Sequence, residues 1–237
     1  MGAENRDYYD AFSNGYDDGR NVGYHKLIDD QAAALVKRVG TDKDVLEIGC
    51  GTGLVLERVV RFARSAQGID ISPGMLKKAQ ERGLTVQEGD CTDLPFEDES
   101  FDTVYSFKVL AHVPDVDRAL AEMLRVLRPG GHMVIDVYNR HSIRYLTKRL
   151  FGPRRTSNSF DEGAISTRFW TPEEAETHIP VGAKLIGTAG IRVATPHSAI
   201  FRVPVLGDVV RQVEWSLMDS PLARFAGFLV MFLEKQQ

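Results

Sequence analysis

Cysteine is scarce: only Cys50 and Cys91 occur in 237 residues. Two are too few for a disulfide framework, so a reducing cytoplasm is the expected location. Long hydrophobic runs are missing as well. The longest apolar stretch, 225–233, has about half of the roughly 20 residues that a membrane-spanning helix needs. Residues 1–10 are polar and acidic with no apolar centre, and no secretory signal is read there. There is no His-Glu-x-x-His and no cysteine cluster of zinc spacing, which predicts no metal. Neither sign of charge dominates, since 29 Lys and Arg face 33 Asp and Glu for a formal charge of −4. That balance argues against a DNA binder and disfavours RNA. No internal repeat or low-complexity tract stands out. What remains is 43% hydrophobic and 26% charged, the composition of a globular chain long enough for one domain with a substantial core.

The most informative stretch is Val45-Leu46-Glu47-Ile48-Gly49-Cys50-Gly51-Thr52-Gly53. Val45, Leu46 and Ile48 are too few for a helix and read as a strand buried on both faces. Alternating glycines then allow a sharp bend and a close approach of a ligand to the main chain. Leu56, Val59, Val60 and Ala63 follow at helical spacing, so the turn is expected to end at a helix N-terminus that favours negative charge. The dinucleotide fingerprint would need glycine where Leu54 stands, which disfavours a nicotinamide-dependent oxidoreductase. No Lys-Ser or Lys-Thr pair follows, which excludes a P-loop.

Along the chain, strands alternate with helices. Residues 1–24 cluster Tyr8, Tyr9, Phe12 and Tyr16, which predicts a segment packed on the body either as plain cover or as a lid. Residues 25–39 form an amphipathic helix through Ile28, Ala32, Leu35, Val36 and Val39. Further strands are expected over 66–71, 84–88, 100–107 and 133–138, with helices after Ser72-Pro73 and over 115–127. Pro129-Gly130-Gly131 reads as a structural turn. A capping box at Thr171 to Glu174, a strand over 184–190, an amphipathic helix over 204–217 and a last strand over 225–233 complete the reading. This rhythm specifies a doubly wound α/β sheet, mostly parallel, with its ligand at the carboxyl ends of the strands. Asp70 stands at such an end, 19 residues beyond Gly51, where α/β nucleotide folds place a carboxylate against ribose hydroxyls. Asp90 ends the next strand.

The run from Val45 to Gly131 resembles the class I S-adenosylmethionine-dependent methyltransferases, particularly small-molecule enzymes of the methyltransferase 11/25 type. The glycine stretch, Gly68-Ile69-Asp70-Ile71-Ser72-Pro73-Gly74-Met75-Leu76, Gly89-Asp90-Cys91-Thr92-Asp93-Leu94-Pro95-Phe96, Phe101-Asp102 and Leu127-Arg128-Pro129-Gly130-Gly131 carry the likeness. It implies a seven-stranded Rossmann-like sheet whose last strand enters antiparallel between strands five and six. It also implies one methyltransferase domain over 1–237, with an N-terminal cap or lid over 1–40 and an insertion over 139–170 above the substrate site. S-adenosylmethionine would be the cofactor and S-adenosylhomocysteine the product. Gly49, Cys50 and Gly51 would cradle the methionine part, with Glu47 organising the turn from below. Asp70 would hold the ribose diol, Asp90 would accept from the adenine amino group, and the Cys91 amide would face the adenine edge. Ile71, Met75, Thr92 and Phe107 complete the cofactor set that the resemblance implies, and Tyr16 is the choice among the aromatics that close over it.

Methyl transfer from a sulfonium needs alignment, exclusion of water and, for some acceptors, removal of a proton. His112, just after the fourth strand, leads as a base or as a brace for its loop. His141 and Tyr145 are alternatives, as is Tyr138. The insertion carries Arg140, Arg144, Lys148, Arg149, Arg154 and Arg155 around Tyr145, Leu146, Leu150 and Phe151. It reads as a lid over an acidic or lipid-like substrate, a membrane-surface contact through 140–155, or a plain solvated helix. The expected activity is methylation of a small molecule, at oxygen or nitrogen rather than carbon, by a monomer or homodimer. An RNA or protein methyltransferase and a non-catalytic cofactor-binding protein of the same fold are the alternatives.

Overall fold

Val45, Leu46 and Ile48 are fully buried, as the central strand of a sheet covered on both faces requires. In the computed structural model, which describes residues 3–151 and 167–237, this strand is β1 (Asp44–Ile48). Around it stand β2 (Ser65–Asp70), β3 (Val86–Glu88), β4 (Phe101–Ser106), β5 (Leu127–Tyr138), β6 (Ala183–Ile191) and β7 (Phe228–Lys235). They form one sheet in the order β3-β2-β1-β4-β5-β7-β6. β1 to β5 pair in parallel, while β7 lies antiparallel between β5 and β6. The fold is the expected doubly wound sheet.

The helices are α1 (Ala3–Phe12), α2 (Gly23–Gly40), α3 (Leu56–Val59), α4 (Pro73–Glu81), α5 (Val116–Arg125), α6 (Ile143–Phe151), α7 (Pro172–Glu176) and α8 (Pro204–Leu217). α2 buries Ile28, Ala32, Leu35 and Val36, and α5 buries Val116, Ala119, Leu120 and Met123. Local chemistry sets the helix starts. Ser72 accepts from the Met75 amide with Pro73 following, Asp115 accepts from the Arg118 amide, and Thr171 and Glu174 close a reciprocal capping box. No helix among the described residues is long and apolar enough to cross a membrane.

Four elements differ from the sequence reading. The helix after the glycine turn is a single turn, because its hydrogen bonds shift to i−3 carbonyls at Arg61 and Phe62 and the chain bends back toward β2. Pro129-Gly130-Gly131 lies inside β5 as a bulge rather than before it. There β5 advances from Leu127 to His132 while β4 advances only from Phe101 to Thr103, and Arg128 ties the bulge to Asp44 and Asp102. β7 begins at Phe228 because Pro221–Phe225 forms a 3-10 turn capped by Ser220.

The fourth difference concerns α8, whose Leu206, Val209 and Val213 are exposed while Glu214 is fully buried. The Glu214 carboxylate accepts from the Val193 and Ala194 amides and from the Thr195 hydroxyl. A polar anchor, rather than the apolar stripe, sets how this helix faces the sheet. Glu214→Ala strands three donors inside the protein and is expected to lower the unfolding free energy by about 3 kcal/mol. Urea denaturation measures it, and a loss below about 1 kcal/mol would deny the anchor its role.

Candidate functional site

The carboxyl ends of β1, β2 and β4 open onto a cavity of about 650 Å³, counting its open mouth. Its wall is made by residues from the glycine turn, the ends of β2 and β4, α4, and the N-terminal aromatics. The turn itself explains two glycines. Gly49 has φ +70°, and a Cβ there would fall 2.3 Å from a Val109 methyl carbon. Gly51 has φ +54°, and a Cβ there would meet open space. Gly51 therefore presents bare main chain to a ligand, whereas Gly49 answers a packing constraint as well.

Asp70 fastens this turn. Its Oδ2 accepts from the Gly51 amide at 2.8 Å and its Oδ1 from the Ser72 amide at 2.9 Å. Burial raises its carboxyl above the usual range, and the two amides act against that. Each oxygen retains acceptor capacity on a residue that lines the cavity, which suits a vicinal diol. Glu47 lies below the turn on the wall of a smaller adjoining cavity that also touches Cys50 and Thr52. Its Oε2 accepts from the Tyr105 hydroxyl at 2.9 Å. Desolvation pushes its carboxyl up to about 8.

Gly49, Gly51, Asp70, Ile71, Met75, Cys91, Phe107, Tyr16 and His112, all expected from sequence, line the larger cavity. Glu47 and Cys50 line the smaller one. Asp90 and Thr92 are placed differently. The Asp90 Oδ1 accepts from the Thr92 amide and hydroxyl, so this pair shapes a turn whose neighbours Gly89 and Cys91 supply the wall. Both thiols are free and buried; desolvation, helped by Asp90, pushes Cys91 up to about 12.

His112 is buried on the cavity wall in a 3-10 turn after β4, its ring edge-on to Tyr138 at 5.7 Å. His141 and Tyr145 do not reach the wall. The Tyr145 ring stacks obliquely on Phe169 at 5.0 Å, and His141 is exposed, its amide donating to Asn139. Tyr138 is likewise taken up in the ring cluster of His112, Phe169 and Phe228. The basic run is partly consumed in the same way. Arg144 lies over the Tyr138 and Phe228 rings, Lys148 over Phe169, and Arg140 pairs with Glu174. Arg154 and Arg155 lie outside the described residues.

The N-terminal segment does pack on the body and forms part of the wall. The Asp10 Oδ1 accepts from the Gly74 amide at 2.6 Å and the Ser72 hydroxyl at 3.1 Å. Asp17 accepts from the Thr52 hydroxyl and pairs with Arg82. These contacts set Tyr9 and Tyr16 against the cavity. Sequence reasoning named Tyr9 only as one of the clustered aromatics, with Tyr16 preferred, and it missed Lys108. Lys108 stands at the same strand end that singled out His112, so position alone would have found it. Its amide donates to Asp136 at 2.7 Å and its ammonium to Asp29 Oδ1 at 2.9 Å.

Comparison with known proteins follows the same line. A family model described as a methyltransferase domain matches residues 46–135. A demethylmenaquinone methyltransferase of Thermobifida fusca is 40% identical over 113 residues, covering 45% of this chain and 48% of that protein. The chain thus spans about half the length of that relative. A demethylmenaquinone methyltransferase of Mycobacterium marinum is 38% identical over 157 residues, covering 61% of this chain and 68% of that protein. Among solved structures, an S-adenosylmethionine-dependent methyltransferase from Thermotoga maritima superposes with a TM-score of 0.71 at 21% identity. It covers 98% of this chain and 99% of its own, and at that identity the likeness shows a shared fold.

The raised carboxyl of Glu47 has a consequence for stability. Its folded-state value of about 8 lies above the unfolded one of 4.5, so the folded form holds the proton more tightly. Its contribution is complete below about pH 4.5 and is lost as pH rises through 8. Glu47→Gln should therefore lose less thermal stability than the parent between pH 5 and pH 8.5. Parallel melting curves would sink this if they run together.

Proposed function

Because this chain belongs to the S-adenosylmethionine-dependent methyltransferases, we propose that it transfers a methyl group to a small-molecule acceptor. The observation that carries the reading is Asp70, a partly buried carboxylate on the cavity wall that also fixes the bare main chain at Gly51. The residues suit the cofactor. Asp70 offers acceptors for a diol, Gly51 leaves room beside the main chain, and Gly89 and Cys91 give a small-residue wall for a flat ring. When bound, S-adenosylmethionine supplies a methyl group already activated by its sulfonium. The protein's share is to align the acceptor, exclude water and hold a proton. Tyr9, Tyr16 and Phe107 exclude water, and His112 is the candidate that takes a proton from the acceptor.

Beside Lys108 and His112 the wall carries the apolar Phe107 and Val109, which supports an acceptor with an apolar body; the relatives named above are demethylmenaquinone methyltransferases. Oxygen or nitrogen is the proposed receiving atom. The stacking of Arg144 and Lys148 on aromatic rings leaves these two less available to a nucleic acid and supports a small acceptor over RNA. Free thiols at Cys50 and Cys91 accord with a reducing cytoplasm.

Two measurements test the reading. Methyl-labelled cofactor, incubated with the protein and a fractionated host extract, should label the small-molecule or lipid fraction. Label in RNA or protein would replace the acceptor class. In calorimetry, Asp70→Ala should weaken S-adenosylhomocysteine binding by about 1–3 kcal/mol, and unchanged affinity would remove Asp70 from the site.

A further inference from the structure

Under the glycine turn, the smaller cavity is lined by Gly49, Gly51, Asp29 and Lys108. Asp29 is almost completely buried. One of its oxygens, Oδ1, accepts from the Lys108 ammonium, while Oδ2 is buried with no hydrogen-bond partner. An acceptor left bare inside a protein is costly, and a carboxylate more so than a neutral group. Lys108 has the complementary surplus. Its ammonium carries three N–H donors, and Asp29 is its one hydrogen-bonded partner among the described residues. The side chain is aimed there from a left-handed backbone, φ +64°, pinned by the bond from its amide to Asp136. An unmet acceptor and spare donors thus stand side by side next to two glycines.

We propose that Asp29 and Lys108 are the receptor for the amino-acid end of the cofactor. Asp29 Oδ2 accepts from the α-ammonium, and the Lys108 ammonium donates to the α-carboxylate. This rests on the methyltransferase reading and adds two residues from distant parts of the chain. The charge arithmetic favours it. The pair, with Asp29 buried and Lys108 partly exposed, is already neutral, and a zwitterion adds no net charge while setting each of its ends against an opposite sign. A lone anion or a lone cation would repel one member of the pair.

The test compares two ligands by calorimetry at neutral pH. S-adenosylhomocysteine carries the amino-acid end; 5′-methylthioadenosine keeps the nucleoside and thioether but lacks it. Asp29→Asn should weaken S-adenosylhomocysteine binding about 10-fold or more, and change 5′-methylthioadenosine binding by less than about 2-fold. Asp29→Asn leaves the Lys108 charge without its partner, so the double variant Asp29→Asn/Lys108→Met, which removes both charges, supplies the same comparison if the single variant unfolds. Equal weakening of both ligands would mean a structural role and overturn the proposal, as would unchanged S-adenosylhomocysteine affinity. Parent protein that binds the two ligands equally overturns the proposal alone. Parent protein that binds neither overturns the methyltransferase reading and the proposal with it.

Discussion

The bond from the Gly51 amide to the Asp70 carboxylate holds the rest of the site in register. It joins the turn after β1 to the end of β2, and the second oxygen of the same carboxylate reaches the start of α4. One side chain thereby fixes the bare main chain, the acceptor oxygens and the helix that carries Met75. The device recurs at other strand ends. Asp136 at β5 receives the Lys108 amide, and Glu214 receives the two amides after β6. Each case sets a carboxylate against backbone donors, so the sheet's carboxyl edge is tied together by acidic side chains bonded to main chain.

The second constraint is the space behind the turn. Gly49 faces Val109 so closely that any side chain would displace the segment after β4. That segment carries Phe107, Lys108 and His112, so three residues of the cavity wall are positioned by the same contact. Asp10 and Asp17 then hold the N-terminal aromatics against that wall.

Much of this was legible in the residues. Strands flanked by small-residue turns, capped helices at Ser72, Asp115 and Thr171, and acids at two strand ends are local signals, and the sheet order follows from crossover rules once the strands are known. What the sequence hid depends on partners far along the chain. The meeting of Asp29 and Lys108 joins a helix read only as amphipathic to a loop beyond β4. The facing of α8 is set by Glu214, which its apolar stripe gave no reason to bury. His141 and Tyr145 carried suitable chemistry, but the ring cluster around Phe169 claims their segment. The bulge in β5 escaped because Pro-Gly-Gly signals a bend without saying whether pairing continues through it.

The protonated state of Glu47 also changes how the molecule's charge is to be counted. The formal value of −4 treats every carboxyl as ionised, yet a group held near 8 is mostly neutral at physiological pH. That proton belongs to the folded form alone: unfolding at neutral pH releases most of it, so the apparent heat of unfolding there depends on the ionisation enthalpy of the buffer.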